Sequence, residues 1–215
     1  MSNPPPFSSQ ALGNRANVKS ALKDWTGCIT DCNKVLELSQ KRRNGLPHAA
    51  PSKSRSKTAS GDVFNDAVVY YTRAEAHYHS QKYYDCLSDC DSSLLLHPHF
   101  PEALCCRGAA HNALGNYTSA LADLDIAIKT RPKYGVAKRH RGIAEYMRGE
   151  YASAVRDLKE EAAMNGGGGD GDRWLVKAEG ALKKAEEEAE RRAEELCREE
   201  VEDRDDKNGE VRNVR

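Results

Sequence analysis

A self-repeat of 34 residues constrains this chain more than any other feature. Pro101–Tyr134 laid under Ala67–Phe100 pairs Arg73 with Arg107, Ala74 with Gly108, His77 with His111, Tyr83 with Tyr117, Leu87 with Leu121, Asp89 with Asp123, Leu94 with Ile128 and Pro98 with Pro132. The frame runs forward through Arg141, Gly142, Tyr151, Ala154, Val155, Asp157 and Leu158. It runs backward, with an offset of 58 residues, through Arg15, Ala16, Trp25, Cys28, Ile29, Asp31, Cys32 and Leu36. That offset is one period plus a 24-residue insertion, so four copies are present. A fixed period of this size is the sequence signature of stacked helical hairpins, none of which can bury both sides of its apolar stripe alone.

The period divides the chain. Residues 1–8, with Pro4–Pro6, read as a disordered tail, and repeats fall over 9–42, 67–100, 101–134 and 135–165. Residues 43–66 carry Gly45, Pro47, Pro51 and a run of serines without a periodic apolar face, and read as a disordered basic insertion. The two basic clusters between Lys41 and Lys57 resemble a bipartite nuclear-import signal, the alternative being a solvated loop; in either case the serines between the basic residues are sites whose phosphorylation would cancel the charge. Gly166–Gly169 and the Asp-Gly-Asp that follows form a joint over 166–172, with Asp172 expected to cap the next helix. A charged helix over 173–204 should cap the array with its first half. Its thin stripe of Trp174, Ala178, Ala181, Leu182, Ala185, Ala189 and Ala193 suits solvent better than a coiled coil beyond that. Residues 205–215 read as a second disordered tail. The first helix begins so near the chain start that an upstream capping segment is expected.

Lys plus Arg and Asp plus Glu number 33 each, so no global field draws the chain to nucleic acid. No apolar run reaches membrane-spanning length, and seven cysteines fit reduced thiols in the cytoplasm or nucleus. Cys28/Cys32 and Cys86/Cys90 sit four apart on helix faces, but Ala120/Leu124 and Ala154/Leu158 hold the same places in later copies. These are therefore core slots, and no metal or cofactor is expected. His77 and His111 share a slot with Lys19 and Glu145, and no nucleophile–base grouping is brought together, which argues against an enzyme.

Arg15, Arg73, Arg107 and Arg141 each precede an aspartate by sixteen residues: Asp31, Asp89, Asp123 and Asp157. Antiparallel helices can bring such residues together as ion pairs that set helix register. The inner face of the first helices, stepped by four and three, offers Asn17, Tyr71, Glu75, Tyr78, Asn112, Arg139, Ile143 and Tyr146 as a surface for a peptide segment.

Small residues at Ala74, Gly108 and Gly142, aromatics at Tyr83, Tyr117 and Tyr151, and prolines at Pro98 and Pro132 resemble the tetratricopeptide repeat (TPR) family over about residues 9–165. The resemblance implies an all-α solenoid, a right-handed superhelix of helical hairpins that binds other proteins. The Asn14-Arg15-Ala16 and Asp31-Cys32 wording is most like cochaperones of the heat-shock chaperones, the alternative being a structural scaffold subunit. Cochaperones that clamp acidic chaperone tails resemble one another in five cationic or amide residues. Gly13, Asn17, Thr72, Glu102 and Cys106 stand at those places here, so one of five is kept. A register one repeat later keeps none, and with an upstream repeat absent Asn14 would match the second-repeat amide while Val68 and Thr72 replace the third-repeat cations. The resemblance therefore implies a chaperone-associated module or adaptor without a complete carboxylate clamp.

Overall fold

The computed structural model describes residues 9–44, 56–166 and 169–212, all the regular structure among them being helical. Four hairpins follow in chain order: α1 (Ser9–Ala21) with α2 (Trp25–Asn44), α3 (Ser56–His79) with α4 (Tyr83–Leu96), α5 (Pro101–Ala113) with α6 (Tyr117–Thr130), and α7 (Gly135–Met147) with α8 (Tyr151–Asn165). A long α9 (Asp170–Arg212) closes the series. Each helix packs on the next. The first helices α1, α3, α5 and α7 also pack along one another, whereas the second helices do not among the described residues. That asymmetry gives the stack an inner face built from first helices.

The turns inside the hairpins share one device. Lys23, Gln81, Gly115 and Gly149 occupy equivalent positions and all have positive φ, between 60° and 84°. The left-handed residue reverses the chain in a few residues, and glycine takes that conformation without the Cβ penalty that Lys23 and Gln81 bear. Pro101 starts α5 where its missing N–H is harmless. Asp24 caps α2 by accepting from the Gly27 N–H at 3.0 Å.

Inside each hairpin the helices cross at one small residue, and its size varies inversely with that of its partner. Gly108 faces Leu124 and Gly142 faces Leu158 so closely that an added Cβ would lie 2.7 Å and 2.8 Å from the leucine Cγ atoms. In the first two hairpins the glycine is Ala16 or Ala74, and the leucine is Cys32 or Cys90. Summed volume at the crossing is thus held nearly constant by two different residue pairs.

The arginines and aspartates spaced by sixteen meet within their own hairpins. Arg107 donates from Nε and Nη2 to Asp123 at 2.8 and 2.6 Å, and Arg73 does the same to Asp89 at 2.8 and 2.5 Å. Arg15 and Arg141 hold Asp31 and Asp157 with the same fork. The third guanidinium nitrogen reaches back one repeat: Arg73 to Asn33 (2.5 Å), Arg107 to Asp91 (2.6 Å) and Arg141 to Asp125 (2.8 Å). Each of these three arginines thus ties three helices; the aspartates that take the fork, Asp89, Asp123 and Asp157, are buried, whereas Asp91 and Asp125 are exposed.

A second slot faces the same carboxylates. Lys19 lies 2.9 Å from Asp31 and His77 lies 3.7 Å from Asp89, but the fourth copy has Glu145, buried beside Asp157 with Oε2 lacking a hydrogen-bond partner. Burial, and then the charge of Asp157, pushes Glu145 up to about 7 from 4.5. The folded chain keeps a proton that the unfolded chain releases, so stability falls as pH rises through that window and is lowest above it. Glu145→Gln should therefore raise stability at pH ~8 by about 1 kcal/mol, with the gain gone below pH ~4.5, in urea denaturation at both pH values. A gain equal at both would mean the residue acts by packing.

Three expected boundaries shift. α2 runs through Asn44 and α3 begins at Ser56, so helix extends into both ends of the segment 43–66, and residues 45–55 lie outside the described residues. Arg42 and Arg43, in the first of the two basic clusters, bond Ser9 and the buried carboxylate of Asp66. These contacts extend α2 past the repeat frame. α9 begins at Asp170, two residues before the expected cap. Gly166, at φ 75°, ends α8, and Asp170 and Asp172 complement the dipole of the new helix. α9 also continues to Arg212 through the part expected to be a disordered tail, a stretch without proline. Its first part caps the stack, with Ala178 fully buried among Ala154, Val155 and Leu158, while residues 186–196 are exposed. Residues 1–8 and 213–215 lie outside the described residues.

Candidate functional site

A groove of about 670 Å³ runs along the inner face of α3, α5 and α7. Six of the residues picked out by helical stepping line it: Tyr71, Glu75, Tyr78, Asn112, Arg139 and Ile143. The other two lie elsewhere. Asn17 sits on α1 with its Oδ1 facing the Thr72 hydroxyl at 3.4 Å. Tyr146 is covered by the α9 cap, its ring 5.6 Å from that of Trp174 and packed edge-on.

Tyr71 is fixed by Phe100, 5.3 Å away in edge contact, and its hydroxyl reaches Glu75 at 3.5 Å. Burial raises its hydroxyl pKa, as it does for Tyr78 and Tyr134, so all three rings present neutral hydroxyls. Stepping along the first helices missed Tyr117, Tyr134 and Trp174, which also line the groove. Tyr134 precedes α7, Tyr117 opens α6 and Trp174 belongs to the cap, so no single-helix pattern contains them.

The charges are uneven. Glu75, Glu102 and Asp170 face the groove, and Arg139 is the cation that accompanies them. Glu102 is bound by Arg131 at 2.6 Å, and Arg139 lies 3.4 Å from the buried Glu161. Burial, and then Arg139, lowers His140 to about 4, leaving it neutral near pH 7. Asn112 donates to the His140 carbonyl at 2.7 Å while its Oδ1 is buried without a hydrogen-bond partner. An acceptor buried without a partner costs roughly 1–3 kcal/mol.

At the floor of the groove the fold adds a cysteine to a pair seen in the sequence. Cys106 on α5 brings its Sγ to 3.6 Å from Cys86 on α4, and Cys86, Cys90 and Cys106 lie within 4.8 Å of one another. Cys28, Cys32, Cys86, Cys90, Cys105 and Cys106 are free thiols.

Hairpins of this kind, stacked with first helices inward, define the TPR fold, and comparison with solved structures finds the same architecture. The first TPR of Spaghetti (RPAP3), bound to an HSP90 peptide of sequence SRMEEVD, superposes with a TM-score of 0.53 at 19% identity, covering 55% of this chain and 94% of that one. The Arabidopsis OM64 TPR domain gives 0.52 at 17% identity over 54% of this chain and 96% of that domain. The MamA protein gives 0.56 at 17% over 86% and 94%. No protein-family model matches the sequence, and no curated protein matches it. No described helix is long and apolar enough to cross a membrane.

Proposed function

We propose that this chain is a non-enzymatic interaction module that holds a peptide segment of another protein in the groove of α3, α5 and α7. The observation that carries this reading is a long concave surface lined by tyrosines, of which Tyr71, Tyr78 and Tyr134 keep neutral hydroxyls. Tyrosine gives large contact area with few rotors to freeze, and a neutral hydroxyl can donate to or accept from a peptide group. Catalysis is no part of the reading. A cochaperone or adaptor in the cytoplasm is the role the reading favours, with passage to the nucleus if residues 41–57 act as an import signal.

The groove's charge selects the ligand. Three carboxylates against one cation repel an acidic tail of the kind that the RPAP3 domain binds, and favour a segment with cationic and apolar side chains. At the places that resemble the clamp, Glu102 is acidic, Cys106 belongs to the thiol cluster, and Thr72 is buried against Val68. Calorimetric titration with SRMEEVD at low salt should give a Kd weaker than ~100 μM. Peptides selected on the immobilised protein from a random display library should be rich in Lys, Arg and apolar residues, and bind at least ~10-fold more weakly to Tyr78→Ala or Glu75→Lys. Low-micromolar binding of SRMEEVD, weakened by Asn17→Ala, would restore the acidic-tail clamp and overturn the charge argument. The scaffold alternative rests on the exposed length of α9, which offers an outer arm for assembly.

A further inference from the structure

The thiol cluster has an arrangement that packing alone does not require. Cys86 and Cys90 stand one turn apart on α4, fully buried, and Cys106 approaches from the neighbouring repeat. Cys106 is half-buried and lines the groove, so the cluster has a route to solvent. Around it lie Ala74, Ala110, Tyr78 and Leu87, and no carboxylate or imidazole lies within the cluster itself. The equivalent places in the first interface are Cys28, Cys32 and Thr72, and in the third they are Ala120, Leu124 and His140. Three sulfurs converge only once among the described residues.

We propose that Cys86, Cys90 and Cys106 form a three-sulfur site for a thiophilic divalent cation of the zinc class, reached from the groove. Zinc–thiolate bonds of ~2.3 Å set sulfurs roughly 3.8 Å apart in tetrahedral geometry. The 3.6 Å between Cys86 and Cys106, and the 4.8 Å bound on the cluster, leave shifts of about an ångström or less. An all-sulfur donor set rejects magnesium and calcium. Charge separates zinc from copper(I): three thiolates around a divalent cation keep a single residual negative charge in a buried place, against two around a monovalent one. Binding sends the thiol protons to solvent, and the fourth position opens toward the groove, where water completes the tetrahedron. A cation there would also join α4 to α5 and stiffen the junction between the second and third repeats.

The repeat supplies test substitutions that the fold already accepts, because alanine occupies the place of Cys86 in the next copy and threonine the place of Cys106 in the previous one. The full chain, stripped of metal and reduced with a phosphine, is titrated with Zn(II) against a chromophoric chelator. Cd(II) is read through its sulfur charge-transfer band, and Cu(I) forms a third arm. One equivalent of zinc should bind and raise the melting temperature. Cys86→Ala and Cys106→Thr should each weaken zinc by more than ~100-fold, since losing a ligand exceeds the ~10–100-fold that its outer supports contribute. Cys28→Ala should leave affinity unchanged, and Thr72→Cys should create a second equivalent at the first interface. The proposal falls if the reduced chain takes up no zinc, or if Cys106→Thr binds as the parent does. Copper(I) uptake without zinc overturns the divalent assignment. Should both loss variants fail to fold, a second equivalent in Thr72→Cys supports the site and its absence counts against it.

Discussion

Arg107→Ala is expected to destabilise the chain by about 3–5 kcal/mol, a large part of the ~5–15 kcal/mol that holds a typical domain together. The effect is that large because of what remains behind. Asp123 is buried, and without the guanidinium fork its two oxygens lose both charge-assisted partners at once. The third contact of the same guanidinium contributes little, since Asp91 is 64% exposed and screened. Asp91→Ala should therefore cost less than ~1 kcal/mol. Arg107→Lys should fall between the parent and the alanine variant, because an ammonium restores the charge but not the planar two-point fork. Replacing both partners, as in Arg107→Met with Asp123→Leu, removes the stranded charge and should recover most of the loss. Guanidinium denaturation followed by circular dichroism gives all four numbers. An Arg107→Ala loss below ~1 kcal/mol would show that water relieves Asp123, and that the ladder sets register without holding stability.

The second large effect concerns the crossing of α5 and α6. Gly108→Ala adds helix propensity of about 1 kcal/mol. It also places a Cβ 2.7 Å from Leu124 Cγ, a branch point that cannot rotate away as a chain tip would. Overpacking of this kind costs ~1–3 kcal/mol and outweighs the propensity gain. Leu124→Cys alone opens a cavity, with a loss of about 1–3 kcal/mol. The double variant recreates the Ala74/Cys90 crossing one repeat upstream. It should be clearly more stable than the two losses predict, with a coupling energy of at least ~1 kcal/mol. Strict additivity in the same denaturation series would break the link between the two positions.

Much of this architecture is legible without coordinates. The period places the four hairpins, and the sixteen-residue spacing of arginine and aspartate equals the walk from one helix of a hairpin to the facing point on the other. Both depend on local geometry, 3.6 residues per turn and a short fixed turn, which sequence encodes directly. The inner-face residues of α3, α5 and α7 follow from the same step along one helix, which is why Tyr71, Glu75, Tyr78, Asn112, Arg139 and Ile143 share the groove.

Contacts between repeats were settled only by the tertiary structure. The stagger and rotation of one hairpin on the next decide whether Cys106 points at Cys86 and Cys90 or past them, and no periodicity within a helix records that angle. The same stacking sets Asn17 against Thr72, outside the groove. Tyr146 follows the inner-face step, yet the turn of α9 after Gly166 lays Trp174 over it. Helix ends obey a similar rule: Arg43, in the last turn of α2, pairs with Asp66 on α3, a contact that no spacing within one helix records. Sequence alone determined the repeated unit, because each unit is specified by neighbours in the chain. The packing of unit on unit decided the site, because its partners are neighbours only in space.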